Sequence, residues 1–163
     1  MRIHFIDTSV LVNILDIPNM NQDRKAVIEE YDALKTDRGN TFILPLATII
    51  ETGNHIAHIS DGNIRWIKGN EFSQMLMKIA SDNFPWKFFE SEVTRDEVMI
   101  IARKLPESVK YESGAGDISI ITAFEKYIDI TPGIGYIRIW STDHHLKHYE
   151  KNLVMPVTRK RRK

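Results

Sequence analysis

Short β-rich apolar runs alternate along the chain with longer stretches of helical periodicity. The first run, residues 2–6, is a strand that stops at Asp7. Thr8 or Ser9 can cap a helix through Leu11 and Leu15 that ends before Pro18. A second helix is expected over residues 22–35, with Ala26, Val27, Tyr31 and Leu34 on one face. A strand at 41–44, Pro45 and a helix to residue 57 come next. The next helix runs to Ala80, with Ile64, Ile67, Phe72, Met75, Leu76 and Ile79 as its buried stripe. A short strand is expected at 86–89, and Thr94 and Glu97 form a capping box for a helix ending near Leu105. Residues 106–116 read as a loop, and Asp117 opens a helix over 118–127. A strand at 136–140, a short helix from His144 and a last strand near 153–155 complete the pattern. Strands alternating with helices imply a three-layer α/β/α sandwich around a central, mostly parallel sheet.

Composition narrows the chemistry. At 163 residues with 42% hydrophobic and 27% charged positions, one globular domain is expected, spanning 1–157. The absence of cysteine excludes disulfides, thiolate nucleophiles and thiolate metal sites. The N-terminus does not resemble a signal peptide, and no apolar stretch approaches the roughly 20 residues of a membrane span, so a cytoplasmic protein without membrane association is expected. Net charge is zero, but Arg159, Lys160, Arg161, Arg162 and Lys163 end the chain in a basic tail, 158–163. Removing those five from 22 basic residues leaves 17 against 22 acids, a net −5. A basic tail on an acidic body suits an anionic partner such as nucleic acid, and suits equally a plain solubilising terminus.

Four acids fall at element junctions. Asp7 ends the first strand; Asp143 follows the strand at 136–140 after Ser141 and Thr142; Glu51 lies in the second turn of the helix after Pro45; Asp117 opens a helix. Parallel strands put their carboxyl ends on one edge of the sheet, where ligands gather. Singly, each acid has an ordinary reading: a helix cap for Asp117 and Asp143, a solvent-facing position for Glu51. Together they repel one another unless a cation joins them. Oxygen donors suit Mg²⁺ or Mn²⁺, and such sites serve phosphodiester cleavage.

In order and spacing, Phe5-Ile6-Asp7-Thr8-Ser9-Val10-Leu11, Glu51, Gly116-Asp117-Ile118-Ser119-Ile120 and Ser141-Thr142-Asp143 resemble the four acidic motifs of PIN-domain ribonucleases, most nearly the VapC-type toxins of toxin–antitoxin modules. The resemblance implies Mg²⁺- or Mn²⁺-dependent cleavage of single-stranded RNA. Asp7, Glu51, Asp117 and Asp143 would form the acidic pocket, with Thr8, Ser9, Ser141 and Thr142 supplying hydroxyls that fix the carboxylates. It also implies an antitoxin partner and a homodimer. Asn13 could point at the pocket, although an exposed helical position is the simpler expectation. His144, His145 and the basic residues Arg159, Lys160, Arg161 and Arg162 are candidates for RNA contact. The chain is longer than compact members of that family, and the segment 61–90 with Trp66 and Trp86 looks like an elaboration. Other readings differ in their demands. A haloacid-dehalogenase-like phosphatase needs a second Asp where Ser9 stands, and a receiver domain needs an acidic pair before its Asp. A PIN nuclease of RNA processing or DNA repair, or a silent PIN module binding RNA or protein, keeps the same motifs.

Overall fold

The computed structural model describes residues 1–153. The basic tail and the end of the last expected strand lie outside these residues. The central strand is β1 (Arg2–Ile6), and β2 (Asn40–Ile43), β3 (Trp86–Lys87), β4 (Tyr136–Trp140) and β5 (Glu150–Asn152) build the sheet around it. The order is β3-β2-β1-β4-β5. The pairs β1–β2, β1–β4 and β2–β3 are parallel, whereas β5 runs antiparallel to β4. Among the described residues six α-helices accompany it: α1 (Thr8–Ile14), α2 (Arg24–Lys35), α3 (Leu46–Ala57), α4 (Gly62–Ala80), α5 (Arg95–Ser108) and α6 (Ala115–Ile130).

Both sheet faces are covered, so β1 carries apolar side chains on each side, as a strand buried between helices does. Ile3 and Phe5 point into one layer with Ile120, Ala123 and Phe124 of α6 and Ile137 and Ile139 of β4. Ile6 points the other way and packs with Val10 and Leu11 of α1, Val27 of α2, Phe72 and Ile79 of α4, and Trp86 and Trp140. The result is the three-layer α/β/α sandwich that the alternation of elements implies. Helix α3 closes one end of the sheet, touching α1, α4 and α6, and α5 lies on α6.

Several local expectations change. Of the expected α4 stripe, Phe72 and Ile79 are buried and Met75 and Leu76 half-buried, but Ile64 and Ile67 are exposed. The 19-residue helix spans about 28 Å, and its buried residues, Phe72 and Ile79, lie in its second half. Helix α5 passes Leu105 and includes Pro106 in its last turn, with a 3₁₀ turn at Val109–Tyr111 after it. Helix α6 begins at Ala115, so Asp117 sits in its first turn rather than at its cap. The segment from His144 is a hydrogen-bonded turn rather than a helix: Lys147 N–H donates to the Asp143 carbonyl at 3.2 Å, and Leu146 is buried as its anchor. The last strand among the described residues is Glu150–Asn152.

Candidate active site

Asp7 is both the end of β1 and the N-cap of α1. Its backbone is extended (φ −84°, ψ 159°), and its N–H donates to the Trp140 carbonyl at 3.0 Å, continuing the β1–β4 ladder. The residue is 5% exposed. Its Oδ2 accepts from Ser9 N–H at 3.2 Å, Ser9 Oγ at 2.6 Å and Ser141 Oγ at 2.8 Å. A hydroxyl has one proton to give. Both serines give theirs to Asp7, and each oxygen then accepts a backbone N–H from the segment after β4. Thr142 N–H donates to Ser9 Oγ at 2.9 Å, and Asp143 N–H donates to Ser141 Oγ at 2.8 Å. The two hydroxyls thus clasp the carboxyl ends of β1 and β4. Thr48 of α3 adds a third tie, donating to the Ile6 carbonyl at 2.8 Å.

Glu51 reaches the same edge from α3. Thr8 Oγ1 donates to its Oε2 at 2.7 Å. Its Oε1 lies against Gly116, where the α-carbon leaves no room for a methyl group. The next residue is Asp117, whose Oδ2 accepts from Ser113 Oγ at 3.2 Å and Gly114 N–H at 3.3 Å. Asp143 is exposed and its Oδ1 caps the turn after it, accepting from His145 N–H at 2.8 Å. Direct contacts therefore run from Asp143 through Ser141 to Asp7, and from Thr8 through Glu51 to the residue beside Asp117.

The four acids share one bonding pattern. In Asp7, Glu51, Asp117 and Asp143 alike, one carboxylate oxygen takes every protein hydrogen bond, and the other takes none among the described residues. No Lys, Arg or His among the described residues forms an ion pair with any of the four. An all-oxygen donor set without a protein cation suits a hard divalent ion. No three of the described carboxylates and imidazoles, however, converge as they stand to hold a metal ion.

The supporting residues divide. Thr8, Ser9 and Ser141 bond the carboxylates directly, whereas Thr142 contributes its backbone N–H. Asn13 is 3% exposed, not a surface residue. Its Nδ2 donates to the Ser9 carbonyl at 2.7 Å, one turn back, and its Oδ1 is buried without a partner among the described residues. His144 and His145 are exposed on the turn after Asp143, and the arginines and lysines of the tail lie outside the described residues.

Two features near the site were not foreseen from the sequence. His4 and Arg138 are paired in register across β1 and β4. Arg138 Nε donates to His4 Nδ1 at 2.9 Å, and His4 Nε2 donates to Asn40 Oδ1 at 3.0 Å, which fixes a neutral imidazole. Burial, with help from the Arg138 charge, pushes the His4 pKa down to about 4, against the opposing pull of Asn40. Glu30 accepts from Arg138 Nη2 at 2.6 Å and from Trp140 Nε1 at 3.0 Å. The available signal was a lone histidine and a lone arginine inside two apolar strands. The second feature is Glu92, a buried acid from the loop after β3. Both its oxygens accept from Leu46 N–H, at 3.1 and 2.9 Å, at the start of α3, where Pro45 offers no side-chain cap. Burial raises the Glu92 pKa. No sequence spacing announces a cap that arrives from 46 residues away.

The acidic edge lies between two clefts. One, of about 400 Å³, is lined by Glu30, Arg138, Trp140, Ser141, Thr142 and Lys147 among others. The other, of about 320 Å³, is mainly apolar and borders Glu51 and Gly116 with Leu46, Ile50, Ile101 and Ser119.

No protein-family model matches the sequence, and no curated protein matches it. Among solved structures, one similar chain comes from the crystal structure of VapBC2 from Rickettsia felis bound to a DNA fragment from their promoter. It is 12% identical, with a TM-score of 0.45 over 85% of this chain and 99% of that one. That similarity is too loose to assign any residue a role, and the roles of the four acids rest on the geometry of this chain alone.

Proposed function

We propose that the chain is a divalent-metal-dependent endoribonuclease of the PIN type, cleaving phosphodiester bonds in single-stranded RNA, and that it acts as the toxin of a toxin–antitoxin pair. One observation carries this reading: the carboxylates of Asp7, Glu51, Asp117 and Asp143 each keep an oxygen without a protein donor, and no cation is paired to them, among the described residues. Asp7, Asp117 and Asp143 would hold a Mg²⁺ or Mn²⁺ ion, with Glu51 beside it as a further ligand or as the group that orients the attacking water. When bound, the ion supplies Lewis acidity and a more acidic water. Ser9 and Ser141 hold the Asp7 carboxylate at one angle, and Thr8 does the same for Glu51. Lys147, in the cleft beside Ser141, offers positive charge to a phosphate backbone.

The test is cleavage of a labelled single-stranded RNA by the purified full chain with Mg²⁺, with Mn²⁺ and with a chelator, beside the Asp7→Asn variant. Cleavage that needs the metal and falls at least about a hundredfold in the variant supports the enzyme. Cleavage that survives both chelation and the substitution overturns it. Growth arrest on expression, relieved by Asp117→Ala, separates a toxin from a processing enzyme, and comparison with duplex RNA and flap DNA separates substrates. Antitoxin binding and homodimer formation belong to the same proposal. A second reading has one observation in its favour, since no three acids converge among the described residues. It is a silent module that binds RNA or protein, for which Asp7→Asn would leave RNA affinity unchanged and no cleavage would occur in either form.

A further inference from the structure

The turn after Asp143 carries a second constellation that the acidic site does not use. His144, His145 and His148 all stand exposed on it, while Leu146 between them is buried. Three features hold the turn in shape. Asp143 Oδ1 accepts from His145 N–H at 2.8 Å, Lys147 N–H donates to the Asp143 carbonyl at 3.2 Å, and Tyr149 N–H donates to the Leu146 carbonyl at 3.1 Å. Tyr149 is fixed in turn, its carbonyl accepting from Ile139 N–H of β4 at 2.8 Å. This framework brings the His144 and His148 rings to 5.6 Å between centroids, at 65° to one another, with the His145 ring 6.2 Å from His144. Two imidazoles bound to one tetrahedral ion, each nitrogen about 2.0–2.1 Å from it, have ring centres roughly 5 Å apart. The observed separation is close to that value.

We propose that His144 and His148 bind a borderline-soft transition-metal ion such as Zn²⁺, at a site separate from the acidic one. Imidazole selects Zn²⁺, Ni²⁺ and Cu²⁺ over Mg²⁺ and Mn²⁺, so the two sites differ in the ions they take. Two protein ligands leave positions for water or for His145. The Lys147 ammonium is the nearest cation in sequence and sets a limit on affinity. The other histidine pair, His55 and His58, lines a different cavity, and His58 Nδ1 is already engaged with the Asn54 carbonyl at 2.6 Å.

The experiment is calorimetric titration of the full chain with Zn²⁺ alone, for the wild type, His148→Ala and Asp7→Asn. The expected result is a micromolar site that His148→Ala weakens at least tenfold and that Asp7→Asn leaves unchanged, whether or not the acidic site also takes the ion. Equal affinity in wild type and His148→Ala, or loss of the site in Asp7→Asn, overturns the proposal. Histidine ring signals in the NMR spectrum of the wild type give a readout that needs no variant to fold. Zn²⁺ should shift His144 and His148 and leave His55 and His58 in place; the reverse pattern also overturns it. The outcome is independent of nuclease activity, so either reading can fail without the other.

Discussion

Gly116 of α6 packs so tightly beneath Glu51 of α3 that a β-carbon at Gly116 would overlap Glu51 Oε1. Two helices that share no strand are thereby brought to one carboxylate, and the contact depends on a missing side chain. Gly116→Ala should move Glu51 off its Thr8 hydrogen bond and lower cleavage about 10–100-fold, the usual effect of disturbing the support of a metal-site ligand. Helix propensity works the other way, favouring alanine by about 1 kcal/mol, so the melting temperature should change little. Gly114→Ala is the control, because nothing lies within 4 Å of a β-carbon there. Equal activity in both variants would remove Glu51 from the site.

Ser141→Ala deletes one hydroxyl that serves two partners, donating to Asp7 and accepting from Asp143 N–H. The buried Asp7 carboxylate loses a charge-assisted hydrogen bond, worth about 1.5–3 kcal/mol. Urea unfolding should register that loss. Activity should fall further than the equivalent loss at a distant site, because the Asp143 backbone also comes free.

His4 gives the protein an acid-sensitive point outside the acidic pocket. Its folded pKa of about 4 lies below its ordinary value of 6.5. The folded state therefore favours the neutral ring, and this contribution is fully present above pH 6.5. It disappears as pH falls from 6.5 towards 4, because the unfolded chain takes up the proton first. The shift corresponds to at most about 3 kcal/mol. Denaturant midpoints at pH 7 and pH 4.5 should differ less in His4→Gln than in the wild type, and an unchanged difference would assign the acid sensitivity to other groups.

Glu92→Ala should destabilise by about 1 kcal/mol, the typical cost of losing a helix cap. Helix α3 carries both Glu51 and Thr48, so hydrogen exchange at Leu46 and its neighbours should quicken in the variant. Exchange that speeds up everywhere equally would mean a global rather than a local effect.

The elements with strong local signals were legible before the fold. An apolar run ending at Asp7, the capping box at Thr94 and Glu97, and the periodicity of 46–57 and 118–127 each reflect interactions within a few residues, and these elements appear where the pattern puts them. Where the pattern misled, long-range geometry was in control. Pro106 looks like a helix terminator, yet it falls in the last turn of α5, where it forfeits one i→i−4 hydrogen bond and only a few residues of helix follow it. Ile64 and Ile67 fit an apolar stripe, but the core takes only Phe72 and Ile79, with Met75 and Leu76 packed at its margin. Asn13 reads as a surface residue, but α1 is buried almost all round.

The sequence by itself determined that strands and helices alternate and that acids stand at their junctions, because hydrophobic period and turn chemistry are local properties. Only the tertiary structure decided what those acids touch. The parallel register of β1 and β4 sets Ser141 against Asp7, and the approach of α6 to α3 sets Gly116 against Glu51. It also decided that one Asp7 oxygen takes every protein hydrogen bond, an arrangement that depends on Ser141, more than 100 residues away, meeting it at the ends of β1 and β4.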